Sequence, residues 1–255
     1  MSNISSDSLF HFTPKREYLI SILEQTFVPR YCFDEIKLSD KLERAGFESA
    51  IPMVCFCDIS LSQINNHIKM YGGYGIGMTK EWGIRKKLNP IIYVNPNSNI
   101  SESVSELAEN IYQALDKHCS EITRNISDEY MNLVNFLKPY NGNFKRGNKI
   151  HKDVRFYNER EWRYVPKIDF DSVVKNNLCK EEFLNPEILE NENQKLFEYR
   201  LGFKPSDIKY IFVKSENEIH PMMEQLRKIK SRYSQKEIDI LTSKIITTEQ
   251  IKEDF

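Results

Sequence analysis

Three short clusters, far apart in the chain, can act together only if the fold brings them together. They are Leu9-Phe10-His11-Phe12-Thr13, Tyr71-Gly72-Gly73-Tyr74-Gly75-Ile76-Gly77 and Tyr157-Asn158-Glu159-Arg160-Glu161-Trp162-Arg163. Each joins chemically capable side chains to a stretch that reads as strand or strand edge. His11 and Glu161 lie 150 positions apart, so a site using both is a product of tertiary structure and not of a local motif.

Phe10-His11-Phe12 alternates as a short strand, and Thr13-Pro14 has the order of an N-cap and first helical residue. Tyr18, Leu19, Ile22 and Leu23 continue as one apolar helical stripe. Residues 29–50 read as irregular and charged, with Tyr31-Cys32-Phe33 as an apolar island. Pro52 to Cys57 predicts a strand, and Ile64 to Met70 one or two helical turns. Gly75–Thr79 and Pro90–Val94 predict two strands joined by a charged turn around Glu81–Lys87. The clearest helix spans about 101–119, where Ser103 and Glu106 have capping-box spacing. A second runs from Ile122 to Leu137, and residues 140–152 read as a loop.

Tyr157–Val165 and Ile208–Val213 are the late strands. Met223, Leu226 and Ile229 share a helix, Ser234 and Glu237 form another capping box, and Lys244–Thr247 predicts a last short strand. The expected fold is one α+β domain over 1–255, a mixed or antiparallel sheet of short strands flanked by helices. Residues 8–165 hold the core and candidate site, and 205–255 a C-terminal helical portion.

Lys and Arg (36) nearly cancel Asp and Glu (37), so binding to nucleic acid or membrane needs a local patch. No apolar run approaches the roughly 18–20 residues that span a bilayer. Met1–Ser8 lacks a basic-then-apolar leader, and five irregularly spaced cysteines fit reduced thiols, so a cytoplasmic protein is expected. Cys55 and Cys57 have no companion CxxC or CxxH, which reads as core packing and not a metal site.

On a strand, His11 points opposite to Phe10 and Phe12, toward a cleft or, in the plainer reading, a hydrogen-bonded core position. Tyr71 and Tyr74 flank glycines that let backbone approach a ligand, and their rings can stack on a flat heterocycle; the plainer reading is a turn into a strand. At strand spacing Glu159 and Glu161 share one face, where two carboxylates repel unless a cation or a ligand needs them. The plainer reading there is a solvated edge strand. Lys145, Arg146, Lys149 and Lys152 make 140–152 a basic loop, either simply solvated or set to meet an anionic acceptor, nucleic acid or protein.

Leu9–Thr13, Ile51–Ile59, Tyr71–Trp82 and Phe156–Tyr164 together resemble the AbiGi family of bacterial abortive phage-resistance proteins, over roughly residues 8–250. The pieces that carry it are Phe56-Cys57-Asp58-Ile59, Tyr71–Ile76 and Glu159–Arg163. That resemblance implies an antitoxin of a two-gene phage-defence system, and hence a partner toxin. A separate resemblance, to His-Tyr-Glu ADP-ribosyltransferases, implies an NAD-consuming enzyme with a transferase-like fold. It gives His11 and Thr13 to the NAD ribose side, Tyr71 or Tyr74 to nicotinamide, and Glu161 to catalysis, with Glu159 helping to activate the acceptor. A Ser-Thr-Ser strand motif typical of such enzymes is lacking. The first reading is thus an NAD-dependent transferase in phage defence; the alternative is a non-catalytic antitoxin that binds a toxin or DNA.

Overall fold

A computed structural model describes residues 6–37, 46–96, 98–146, 149–169 and 172–254, with the side chains of 35–37, 46–47, 144–146 and 149–150 outside that description. Two compact units emerge, each assembled from separated stretches. The first takes Met1–Pro29, Val54–Leu88 and Leu196–Phe255, the second Arg30–Met53 and Asn89–Lys195.

The chain begins with β1 (Ser8–Thr13), α1 (Arg16–Gln25), β2 (Arg30–Lys37) and β3 (Gly46–Cys57). Then come α2 (Asn65–Tyr71), β4 (Tyr74–Thr79) and α3 (Lys80–Arg85). The second unit continues with β5 (Asn89–Pro90), β6 (Ile92–Val94), α4 (Asn99–Lys117), α5 (Glu121–Val134) and β7 (Leu137–Pro139). It ends with β8 (Gly142–Arg146), β9 (Lys149–Val154), β10 (Glu161–Tyr164), α6 (Lys180–Leu184) and α7 (Pro186–Lys195). The first unit closes with β11 (Ile208–Val213), α8 (Ile219–Ile229), α9 (Gln235–Thr242), β12 (Ile245–Thr247) and α10 (Thr248–Asp254).

In the first unit the strand order is β12-β11-β4-β1-β3, antiparallel except between β11 and β12. Register places Phe10 opposite Gly77 and Phe12 opposite Gly75. A Cβ on Gly75 would stand 2.8 Å from the Phe12 ring, and one on Gly77 3.0 Å from the rings of Phe10 and Tyr210. The glycines of the Tyr-Gly motif therefore leave the space into which aromatic rings lie across the sheet. Phe10, Phe12 and Phe212 bury there with Ile64, Ile68 and Ile251.

In the second unit, β2 and β3 form an antiparallel hairpin from Arg30↔Met53 to Lys37↔Gly46. β10 pairs with β5, β6 runs parallel to β7, and β8 pairs with β9. Ala108, Ile111, Tyr130 and Val134 pack α4 and α5 onto Val94 and Leu137. The Tyr130 hydroxyl ties the two helices by donating to the Val104 carbonyl at 2.7 Å.

Several local expectations are corrected. Helix α1 starts at Arg16 with Lys15 as N-cap, because Thr13 finishes β1 and is buried. Residues 30–37 and 46–50, expected to be irregular, are β2 and the start of β3; cross-strand pairing stabilises a sequence whose charges had masked it. The charged turn is helix α3, whose N-cap Thr79 accepts from the Trp82 N–H at 3.3 Å. Ser98, not Ser103, caps α4. Within the expected loop 140–152, residues 142–146 and 149–152 belong to strands, β8 pairing antiparallel with β9. The predicted capping box at Ser234 and Glu237 and the strand near 245–247 are both present.

Candidate functional site

Glu159 and Glu161 do not share a strand face. Phe156–Glu159 is a 3-10 turn closed by Arg160 at φ 44°, and β10 begins only at Glu161. The left-handed Arg160 reverses the local geometry and still brings both carboxylates to one cation. Lys138, on β7, places its Nζ 2.8 Å from Glu159 Oε2 and 2.9 Å from Glu161 Oε2, and lies 4.9 Å from the Phe156 ring centroid.

β10 inverts the usual pattern, with Glu161 6 % and Arg163 1 % exposed. The inversion is tolerated because each charge is paired. Arg163 donates through Nε to Glu161 Oε1 at 2.9 Å and through Nη1 to the Asn135 carbonyl at 2.7 Å, and its Nη2 lies 2.8 Å from Asp34. The Glu161 N–H donates to the Tyr93 hydroxyl at 2.9 Å. Burial lowers the Lys138 ammonium pKa, but Glu161, Glu159 and Asp34 outweigh it and hold the group well above the ordinary lysine range. Burial is also the main reason the Tyr93 phenol is raised.

Both oxygens of Glu161 are thus engaged, one by Arg163 and one by Lys138. Such a carboxylate fixes a buried network, its charge already shared between two cations.

The residues expected on the cofactor side belong to the first unit. His11 is wedged between Phe27 and Phe56, ring centroids 5.4 and 5.6 Å away, and its Nδ1 donates to the Cys55 carbonyl at 2.8 Å. A carbonyl only accepts, which fixes the Nδ1–H tautomer, and burial lowers the imidazole pKa. The residue itself is half-buried. Thr13 is buried opposite Tyr74. Tyr74 donates its hydroxyl to Glu218 at 2.9 Å, and Lys214 Nζ lies 4.9 Å from its ring centroid. Burial and that hydrogen bond push its phenol up to about 12. Tyr71 ends α2 and packs on the aromatic core cluster. Gly72, at φ 115°, lets that helix pass Pro14, whose Cα would stand 2.4 Å from an added Cβ.

Neither unit by itself contains the His-Tyr-Glu set. His11, Thr13, Tyr71 and Tyr74 lie in the first unit and Glu159 and Glu161 in the second. Of the basic group, Lys152 is exposed on β9, while the side chains of Lys145, Arg146 and Lys149 lie outside the described residues. Sequence reasoning missed Lys138, Asp34 and Asn135. Its one usable signal was a lysine between two apolar residues, Leu137 and Pro139.

A family described as "Putative abortive phage resistance protein AbiGi, antitoxin" matches residues 25–214, which include the Tyr-Gly motif, Lys138 and the Glu159–Arg163 cluster. The chain belongs to the AbiGi family. "Abortive phage resistance protein AbiGi" of Lactococcus lactis subsp. cremoris is 30% identical over 256 residues, covering 90% of this chain and 99% of that relative. No solved structure matches. His11 and Thr13 precede the matched AbiGi stretch, whereas the whole ion-pair network falls inside it. Among the described residues no helix is long and apolar enough to cross a membrane.

Proposed function

We propose that this AbiGi-family chain is a cytoplasmic antitoxin-type component of a phage-defence pair, working by contact with a partner protein and not by NAD chemistry. The observation that carries the reading is the engagement of both Glu161 oxygens by buried cations. His11 supports it: its ring packs on Phe27 and Phe56 and its Nδ1 is held by a backbone carbonyl. The family's description as an antitoxin points the same way.

The transferase reading, with NAD as substrate, predicts release of nicotinamide by the purified chain, lost in a folded Glu161→Gln variant. Incubation with labelled NAD and host lysate separates the two. We expect no turnover above buffer. In parallel, the chain co-expressed with its co-encoded toxin should restore growth. Turnover abolished by Glu161→Gln overturns the proposal, as does unrelieved toxicity. A DNA partner draws its support from the basic composition of the β8–β9 hairpin, and would show as binding that weakens steeply with salt.

A further inference from the structure

Helix α5 carries a second apolar stripe that the unit's own core does not use, and α4 sets the exposed Leu107 beside it. On α5, Ile122, Ile126 and Leu133 are 71, 51 and 63 % exposed, while Tyr130 and Val134 face the core. With Leu107, Ile111 and Tyr130 they line an open groove of about 440 Å³. The spacing of 122, 126 and 133 repeats at helical intervals, so the stripe runs along the helix axis as a continuous seam. A contiguous apolar patch of this kind marks an interaction surface.

Charge around the groove says what covers it. Residues 99–134 carry seven carboxylates and two cations in a chain whose overall net charge is only −1. Glu129 lies in the groove wall, and Glu106 and Glu109 flank Leu107 and Ala108 on α4. An acidic rim repels phosphate, which argues against nucleic acid here, and it repels a second copy of the same hairpin. Apolar anchors at helical spacing are what a helix-in-groove contact requires.

We propose that the α4–α5 groove docks an amphipathic helix of the partner, with apolar anchors flanked by Lys or Arg. This deepens the antitoxin reading and rests on it for the partner's identity.

The test uses the full chain and a labelled synthetic Leu/Lys amphipathic helical peptide, read by fluorescence anisotropy. A Leu/Glu peptide of the same pattern is the control. We expect saturable binding of the Leu/Lys peptide and at least tenfold weaker binding of the Leu/Glu peptide. Ile126→Gln with Leu133→Gln, both exposed positions, should weaken the first tenfold or more with an unchanged circular dichroism spectrum. Glu109→Gln with Glu129→Gln should flatten the salt dependence. Equal binding of both peptides, or no effect of the groove variants, overturns the proposal. So does a wild-type dimer in sedimentation that Leu133→Gln dissolves, which would give the groove to a second copy. Toxin co-expression keeps the two inferences apart. If the groove variants neutralise as well as wild type, the groove assignment fails and the antitoxin reading stands. If wild type never neutralises but still binds the peptide through the groove, the antitoxin reading fails alone.

Discussion

Lys138 Nζ sits 2.9 Å from Glu161 Oε2, joining two residues 23 positions apart that no local pattern links. The same ammonium holds Glu159 at 2.8 Å, so one lysine bridges the carboxylate pair that the sequence offered as catalytic, and Arg163 supplies the second cation.

Removing that lysine should be severe. Lys138→Met removes the cation that Glu159 and Glu161 share, leaving Arg163 on Glu161 alone, and breaking a buried pair in this way costs about 3–5 kcal/mol. Chemical denaturation at pH 7 checks it. Two buried carboxylates with one cation fewer favour protonation, so the folded variant takes up protons more readily than wild type. Its deficit relative to wild type should shrink as pH falls from 7 toward 5. A deficit independent of pH would show that packing, not charge, is what was lost.

Glu161→Gln should also destabilise, by about 2–4 kcal/mol, because Arg163 and Lys138 each lose a charged acceptor in a buried setting. Loss of any activity in this variant therefore speaks of chemistry only when folding is measured alongside. Urea midpoints for Glu161→Gln and wild type that coincide would contradict the network as described.

The first unit contains a charge of opposite behaviour. Lys230 is buried, donates to the Leu23 carbonyl at 2.5 Å, and burial lowers its pKa to about 8. Below pH 8 the fold carries a buried ammonium at full cost. Between pH 8 and the ordinary lysine value of about 10.5 the unfolded chain binds more protons than the folded one, so stability rises with pH. Wild type should gain on Lys230→Met across that window; parallel stability curves would reject the assignment.

Gly72→Ala meets two obstacles, a φ of 115° and the Pro14 backbone 2.4 Å from the new Cβ. The expected loss is about 2–4 kcal/mol, from positive-φ strain and overpacking together. Thermal unfolding measures it. A small effect would mean that the α2–β4 junction relaxes freely, and the rigid aromatic packing next to it would need another explanation.

Much of this protein is written in local sequence. Alternation in Phe10-His11-Phe12 determined which side chains enter the aromatic cluster and which turns away, because a strand's side-chain period is two wherever it pairs. Helical periodicity placed α4 and α5 within a few residues, and Ser234 with Glu237 announced the start of α9. Family membership was legible in the Tyr-Gly and Glu-x-Glu-Trp-Arg pieces. What the glycines are for was not: Gly75 and Gly77 make room for rings on neighbouring strands, and only register reveals which rings. Nor could sequence tell that Glu159 and Glu161 converge from a 3-10 turn and a strand on Lys138. Secondary structure follows from neighbours along the chain, whereas the pairing of buried charges follows from neighbours in space. Any of the 36 lysines and arginines could have supplied the cation, and tertiary packing alone chose Lys138 and Arg163.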